Sequence, residues 1–253
     1  MSTLYDTKWL DDNIHTLPDW KKIAYQYFHS VVADDDNTYP CIPARHGLLT
    51  NNLRFSFLGD PRKSRSIEEL ASTLREYGKC SRGTGKYASL VVFFETDKEL
   101  IESYEIDDYF NLFWSILSNV SSLDHADWPN HIPTDPAHHE WEFCFDGEPY
   151  FSFCTTPAHS VRKSRHFPSF MLAFQPRWVF EEISDSTAFG RNMKKQIRKR
   201  LVEFDGIPVH SDLKWYGNND NHEWKQYFLN DDDTSPSKCP FMRMKTILSK
   251  FIK

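Results

Sequence analysis

The most constraining feature of this chain is the dipeptide Asp146-Gly147, set between two runs rich in alternating aromatic residues. Ahead of it, Trp141, Phe143 and Phe145 alternate with Glu142, Cys144 and Asp146; behind it, Tyr150 to Thr155 forms a second run. A period of two puts successive side chains on opposite faces of a strand, and Asp-Gly tolerates the positive φ that a tight hairpin turn demands. The pattern predicts an antiparallel hairpin, ended by Pro157 because proline cannot donate to a ladder. His159 falls just beyond that strand end, where a rigid scaffold holds side chains beside an opening. Cys144 and Cys154 are placed to face each other across the hairpin as two buried thiols.

Around this hairpin the remaining periodicity supplies helices and further strands. Trp9 to His29 has helical spacing interrupted by Pro18, Ile67 to Tyr77 is a short amphipathic helix behind Ser66, and Asp97 to Asn119 reads as a longer helix. Leu53 to Leu58 reads as a strand. Lys86 to Glu95 is a continuous apolar run, which implies cover on both faces. Phe170 to Phe180 is another strand, with Pro176 marking an edge or a bulge. Thr187 to Phe204 spaces Phe189, Met193, Ile197, Leu201 and Phe204 along one helical face, with Arg191, Lys194, Lys195, Arg198, Lys199 and Arg200 on the rest. A short basic helix is expected at the C-terminus. The fold class is α+β: a single domain over residues 1–253, with a mostly antiparallel central sheet from strands near 53, 88, 142, 151 and 172, packed by helices.

Charge and cysteine usage exclude several functions. With 36 acidic against 30 basic side chains, the net charge of −6 does not invite nucleic acid or an anionic membrane. The basic helix is better read as solvated surface or a docking patch. Five scattered cysteines contain no CxxC pair, and no apolar stretch reaches signal or transmembrane length, so the expected compartment is a reducing cytoplasm. Aromatics at 15% suit either a dense core or a pocket for a flat ligand. GxGxxG, P-loop, GxSxG and HExxH signatures are all absent. His138-His139-Glu140 lacks the one-turn spacing of paired metal ligands, and a triad drawn from His139, His159 and Asp146 or Glu142 is unremarkable among 11 histidines.

Five segments taken in order are more specific than any one motif. They are YPC (39–41), WEFCFDGEPYF (141–151), TPAHSVRKSR (156–165), FQPRWVFE (174–181) and EWKQYFL (223–229). Together they resemble the YqcI/YcgG family over residues from about 20 to about 235. Some members of that family are haem-dependent N-oxygenases of natural-product biosynthesis, acting on a guanidine, amine or aminoimidazole nitrogen; many others have no assigned activity. The resemblance implies an iron-containing haem b, a small nitrogenous substrate, dioxygen or peroxide, and a separate electron donor, since no flavin or nicotinamide fingerprint is present. It leaves a homodimer open.

On this resemblance His159 is the expected proximal iron ligand, because an imidazole at a strand end can hold haem iron on one side and leave the other open. Arg162, Arg165 and Arg177 are expected to meet the propionates, and Phe151, Phe153, Phe174 and Trp178 to sandwich the porphyrin. Cys41 and His46 are rival ligands, Cys41 as a thiolate. No catalytic residue is singled out; Glu142, Asp146 and Glu148 are open choices for a distal anion facing a cationic substrate. The expected function is haem-dependent N-hydroxylation, with the basic helix from Arg191 as the docking face for the electron donor. The alternative is a haem-binding or haem-handling protein without turnover.

Overall fold

The computed structural model describes residues 4–36, 38–181 and 183–242. One six-stranded sheet organises them, with strands β1 (Tyr5–Asp6), β2 (Leu53–Leu58), β3 (Ser89–Phe94), β4 (Phe143–Phe145), β5 (Glu148–Thr155) and β6 (Met171–Pro176) in the order β1-β2-β3-β6-β5-β4. Neighbours run antiparallel except β2 and β3. That parallel pair is joined by a crossover through α4 (Ser64–Cys80), which begins ahead of the expected Ser66. The two-residue β1 was not expected.

The hairpin forms where the sequence placed it. Asp146 and Gly147 adopt φ values of 52° and 77°, the left-handed pair that a two-residue turn requires. Its register sets Phe143 opposite Tyr150 and Cys144 opposite Pro149, while Cys154 pairs with Leu172 on β6. The two thiols are therefore buried but do not face each other. β6 is a central strand, contrary to the edge position suggested by Pro176; the proline is its last residue, after which Arg177–Phe180 coils into a 3-10 turn.

Local capping divides the helices more finely than periodicity does. Pro18 opens α2 (Asp19–Val32), separating it from α1 (Thr7–Asn13). The expected helix from Asp97 splits into α5 (Lys98–Ser103), capped by Asp97, and α6 (Ile106–Ser122), opened by a reciprocal capping box between Glu105 and Asp108. The expected C-terminal basic helix lies outside the described residues.

Two cores follow from the alternation of the strands. One sheet face carries Leu90, Val92, Tyr150, Cys154, Leu172 and Phe174 against α4 and α6. The other carries Leu53, Phe55, Val91, Phe93 and Met171 beneath α2 and α3 (Ile42–Leu49). On that second face the cover stops short of β5 and the end of β6, leaving Phe151, Phe153, Ala173 and Gln175 only half-buried in mid-sheet. α7 (Ala188–Asp205), capped by the Thr187 hydroxyl and ended at Gly206 with φ 75°, spans this gap; Ile197 and Leu201 line one cavity and Phe204 another. Of its expected inward residues, Phe189 is instead 49% exposed.

Candidate functional site

The loop after β5 is a closed knot. Asp231 accepts hydrogen bonds from the Ser160, Val161 and Arg162 amides at 2.8, 3.0 and 2.9 Å, which pins the loop to the C-terminal segment. His159 is 1% exposed: its Nε2 lies 2.8 Å from the Leu229 carbonyl and its Nδ1 lies 2.8 Å from Thr156 Oγ1. A carbonyl only accepts, so Nε2 carries the proton and donates, and Nδ1 accepts the threonine hydroxyl proton. Burial brings the pKa of His159 down to about 4, which keeps the ring neutral.

The two arginines of this loop are likewise committed. Arg162 donates from Nε to the Asn230 carbonyl at 2.8 Å, and from its two Nη atoms to the carbonyls of Pro208 and Asp232. Arg165 donates to the carbonyls of Tyr227 and Gln226 at 3.1 and 2.9 Å, and its guanidinium carbon lies 4.3 Å from the centre of the Phe153 ring. Burial brings Arg165 down to about 10, still charged at neutral pH.

Beside the knot, the uncovered part of the sheet forms an apolar trough. Its inner end, about 100 Å³, lies over Phe151, Phe153, Ala173 and Gln175, with Phe28, Tyr39 and Cys41 as walls. Phe28, Tyr39 and Met171 also border a wider cleft of about 640 Å³ that runs past Thr155 and His159 to Lys163, His166 and Phe204. Phe174 is fully buried on the opposite face, because β6 alternates and it pairs with Ser152 rather than with Phe151 or Phe153. Trp178 sits in the turn after β6 beneath the Arg82 guanidinium.

A second pocket, of about 430 Å³, shares the Phe151 ring with the trough. Phe180, Ile197, Leu201, Trp215 and Tyr216 give it apolar walls. Arg177 lines it and pairs with both Glu142 and Glu223, its guanidinium carbon 3.7 Å from the centre of the Tyr216 ring. Glu142 is 0% and Glu223 4% exposed, and burial raises the pKa of Glu223 against the pull of Arg177. One guanidinium cannot neutralise two ionised carboxylates, and Lys194, which lines the same pocket and whose charge acts on Glu223, brings a second positive charge to this centre. At the pocket's rim Lys194 lies 3.9 Å over the Trp215 ring, brought down to about 8 by burial, and an open groove continues along Arg191, Lys195 and Arg198.

Other sequence candidates lie apart. His46 is exposed beside Tyr87, Asp146 is exposed in the hairpin turn, and Glu148 is half-buried near Arg82. Among the described residues, His138, His139 and Glu140 bring their ligand atoms within 4.8 Å of one another at the surface, without His159. No described helix is long and apolar enough to cross a membrane.

Four of the five sequence segments thus converge. TPAHSVRKSR is bonded to EWKQYFL through His159 and Arg165, and WEFCFDGEPYF, FQPRWVFE and EWKQYFL meet at Arg177. The model of the YqcI/YcgG family matches residues 28–242. This chain belongs to the YqcI/YcgG family. Within it, the chain is 54% identical over 250 residues to YqcI of Bacillus subtilis, covering 99% of this chain and 98% of that one. It is 53% identical over 247 residues to YcgG of the same organism, with 98% of each covered. A Streptomyces lavendulae protein provisionally named the N(omega)-hydroxy-L-arginine synthase DcsA is 29% identical over 228 residues, covering 88% of this chain and 84% of that protein. No solved structure matches the chain.

The ligand set expected for the haem that the resemblance implies does not fit. His159 offers no free lone pair, Arg162 and Arg165 are spent on backbone carbonyls, and Arg177 is held between two carboxylates. Sequence reasoning left Glu223, Tyr39 and Thr155 without a role. Glu223 stood in the quoted EWKQYFL segment, but nothing in its spacing pointed to Arg177.

Proposed function

We propose that this protein N-oxygenates a small cationic nitrogen compound, a guanidine or an amine, held in the pocket closed by Arg177. The observation that carries this reading is the acidic centre at an aromatic-walled pocket, where two buried carboxylates, Glu142 and Glu223, meet the Arg177 guanidinium. A substrate guanidinium or ammonium would be drawn to Glu223 in competition with Lys194, among Tyr216, Phe180 and Trp215 rings that already accept Arg177 and Lys194 against them. The name of the Streptomyces relative supports nitrogen hydroxylation as the reaction class. One oxygen atom of dioxygen enters an N–H bond, the other leaves as water, and a separate donor supplies two electrons while solvent supplies two protons. Bound haem would supply the oxygen activation; the chain's own residues bind the cation, orient it beside Phe151 and exclude water. The groove along Arg191, Lys195 and Arg198 suits an acidic electron donor.

The test is mass spectrometry of a panel of guanidines, amines and neutral amides incubated with haem-loaded protein, reductant and dioxygen. Oxygen should appear on the nitrogen of cationic members only, and Glu223→Gln should raise their KM at least tenfold. Failure to oxygenate any member, together with ready transfer of haem to an apo-acceptor, would establish the carrier function instead.

A further inference from the structure

We propose that His138, His139 and Glu140 form a surface site for a divalent transition metal of the zinc type, just ahead of β4. The site is independent of the function proposed above.

One-turn spacing is a rule for metal ligands on a helix, and this segment is instead a succession of tight turns. Asp135 accepts the Ala137 amide on Oδ1 at 2.9 Å and the His138 amide on its carbonyl at 3.0 Å; the His138 carbonyl then accepts the Trp141 amide at 3.1 Å. This winding sends neighbouring side chains the same way, where a strand would send them to opposite faces. The His138 and His139 rings stack with centroids 4.5 Å apart and 19° between their planes. With the Glu140 carboxylate, their ligand atoms lie within 4.8 Å of one another.

Two imidazoles and a carboxylate are a donor set that suits zinc-type ions and leaves a fourth position for water. Ligands held at about 2.1 Å around a tetrahedral ion are roughly 3.4 Å apart, so loading draws the three groups together by about 1 Å. All three side chains are at least partly exposed, so this movement disturbs no core packing. It displaces one weak contact, the 3.2 Å bond from the Glu140 amide to His138 Nδ1, because neither nitrogen of His138 can ligate while Nδ1 accepts and Nε2 carries the proton.

A second observation points to a ligand. The Nδ1 of His222 is shielded from water yet has no hydrogen-bond partner. Burial lowers the pKa of this ring, and beyond Lys225 the neighbouring His139 and then His138 lower it further, which puts a third imidazole close to the stacked pair. An unpaired nitrogen there marks a missing donor, which a water on the metal would supply. The site also adjoins the Arg177 pocket: Tyr216 Oη donates to the Glu140 carbonyl at 3.1 Å, and Glu142, two residues on, pairs with Arg177. A bound ion would fasten the start of the strand segment that carries Glu142.

Zinc titrated calorimetrically into full-length, chelator-treated protein tests the site, with X-ray absorption at the zinc edge identifying the ligand atoms whatever haem the protein carries. One equivalent should bind, with imidazole nitrogen and oxygen neighbours and no sulfur, and magnesium should not compete. His139→Gln and Glu140→Gln should each weaken zinc binding by about tenfold or more, with far-UV circular dichroism unchanged. Zinc should also raise the melting temperature of the wild type and not that of His139→Gln. Absence of saturable binding, sulfur from any of the five cysteines around the first equivalent, or wild-type affinity in both variants overturns the site and leaves the N-oxygenase reading standing. Because the wild-type absorption spectrum identifies the donor atoms without any substitution, poor folding of a variant does not obscure the answer.

Discussion

The Nε2 of His159 and the carbonyl oxygen of Leu229, 70 residues apart in the chain, lie 2.8 Å from each other in the buried interior. This bond ties the loop after β5 to the C-terminal segment and fixes the tautomer of the ring. It also occupies the nitrogen that iron ligation would need.

Stability should depend on pH through this ring. Its pKa is near 4 in the folded protein because of burial, against an ordinary value of 6.5, so between these limits the unfolded chain binds more protons. The contribution is therefore complete above pH 6.5 and is lost as the pH falls toward 4, amounting to about 3 kcal/mol. Urea denaturation at pH 7.5 and pH 5 measures it. His159→Asn should show a smaller difference between the two than the wild type.

Removing the latch should destabilise at neutral pH as well. His159→Ala leaves the Leu229 carbonyl and the Thr156 hydroxyl without their partner and opens a cavity, costing about 2–4 kcal/mol. A midpoint shift in chemical denaturation without a change in slope is the expected signature.

Asp231 is the second fastening. Asp231→Asn replaces a carboxylate that accepts three backbone amides by a group with one acceptor oxygen, with an expected loss of about 2 kcal/mol. Amide hydrogen exchange should speed up selectively at Ser160, Val161 and Arg162, which distinguishes local release from general loosening.

The seating of α7 can be tested at its start. A Cβ on Gly190 would stand 2.1 Å from the Ser184 carbonyl oxygen, so Gly190→Ala must displace the helix. Overpacking of this kind costs about 1–3 kcal/mol. Because Ile197, Leu201 and Phe204 of the same helix border the cavities, ligand affinity should fall with stability.

Much of the fold was legible from local rules. The Asp146-Gly147 turn and the apolar strand β3 depend on residues within a few positions of one another, and each formed where expected. The finer breaks at Pro18 and Glu105 also came from local signals, a proline and a capping box, which the helical periodicity overshadowed.

The site obeyed different rules. Sequence by itself placed His159 past a strand end, put Phe151 and Phe153 on one face, and marked four segments that meet. Only the tertiary structure decided which face of the sheet stayed uncovered, because that depends on where α2, α3 and α7 pack. It also decided that His159 and the arginines are held by carbonyls or carboxylates up to 70 residues away. Hydrogen-bond partners at such separations leave no periodic trace in a sequence, whereas hairpins and caps do.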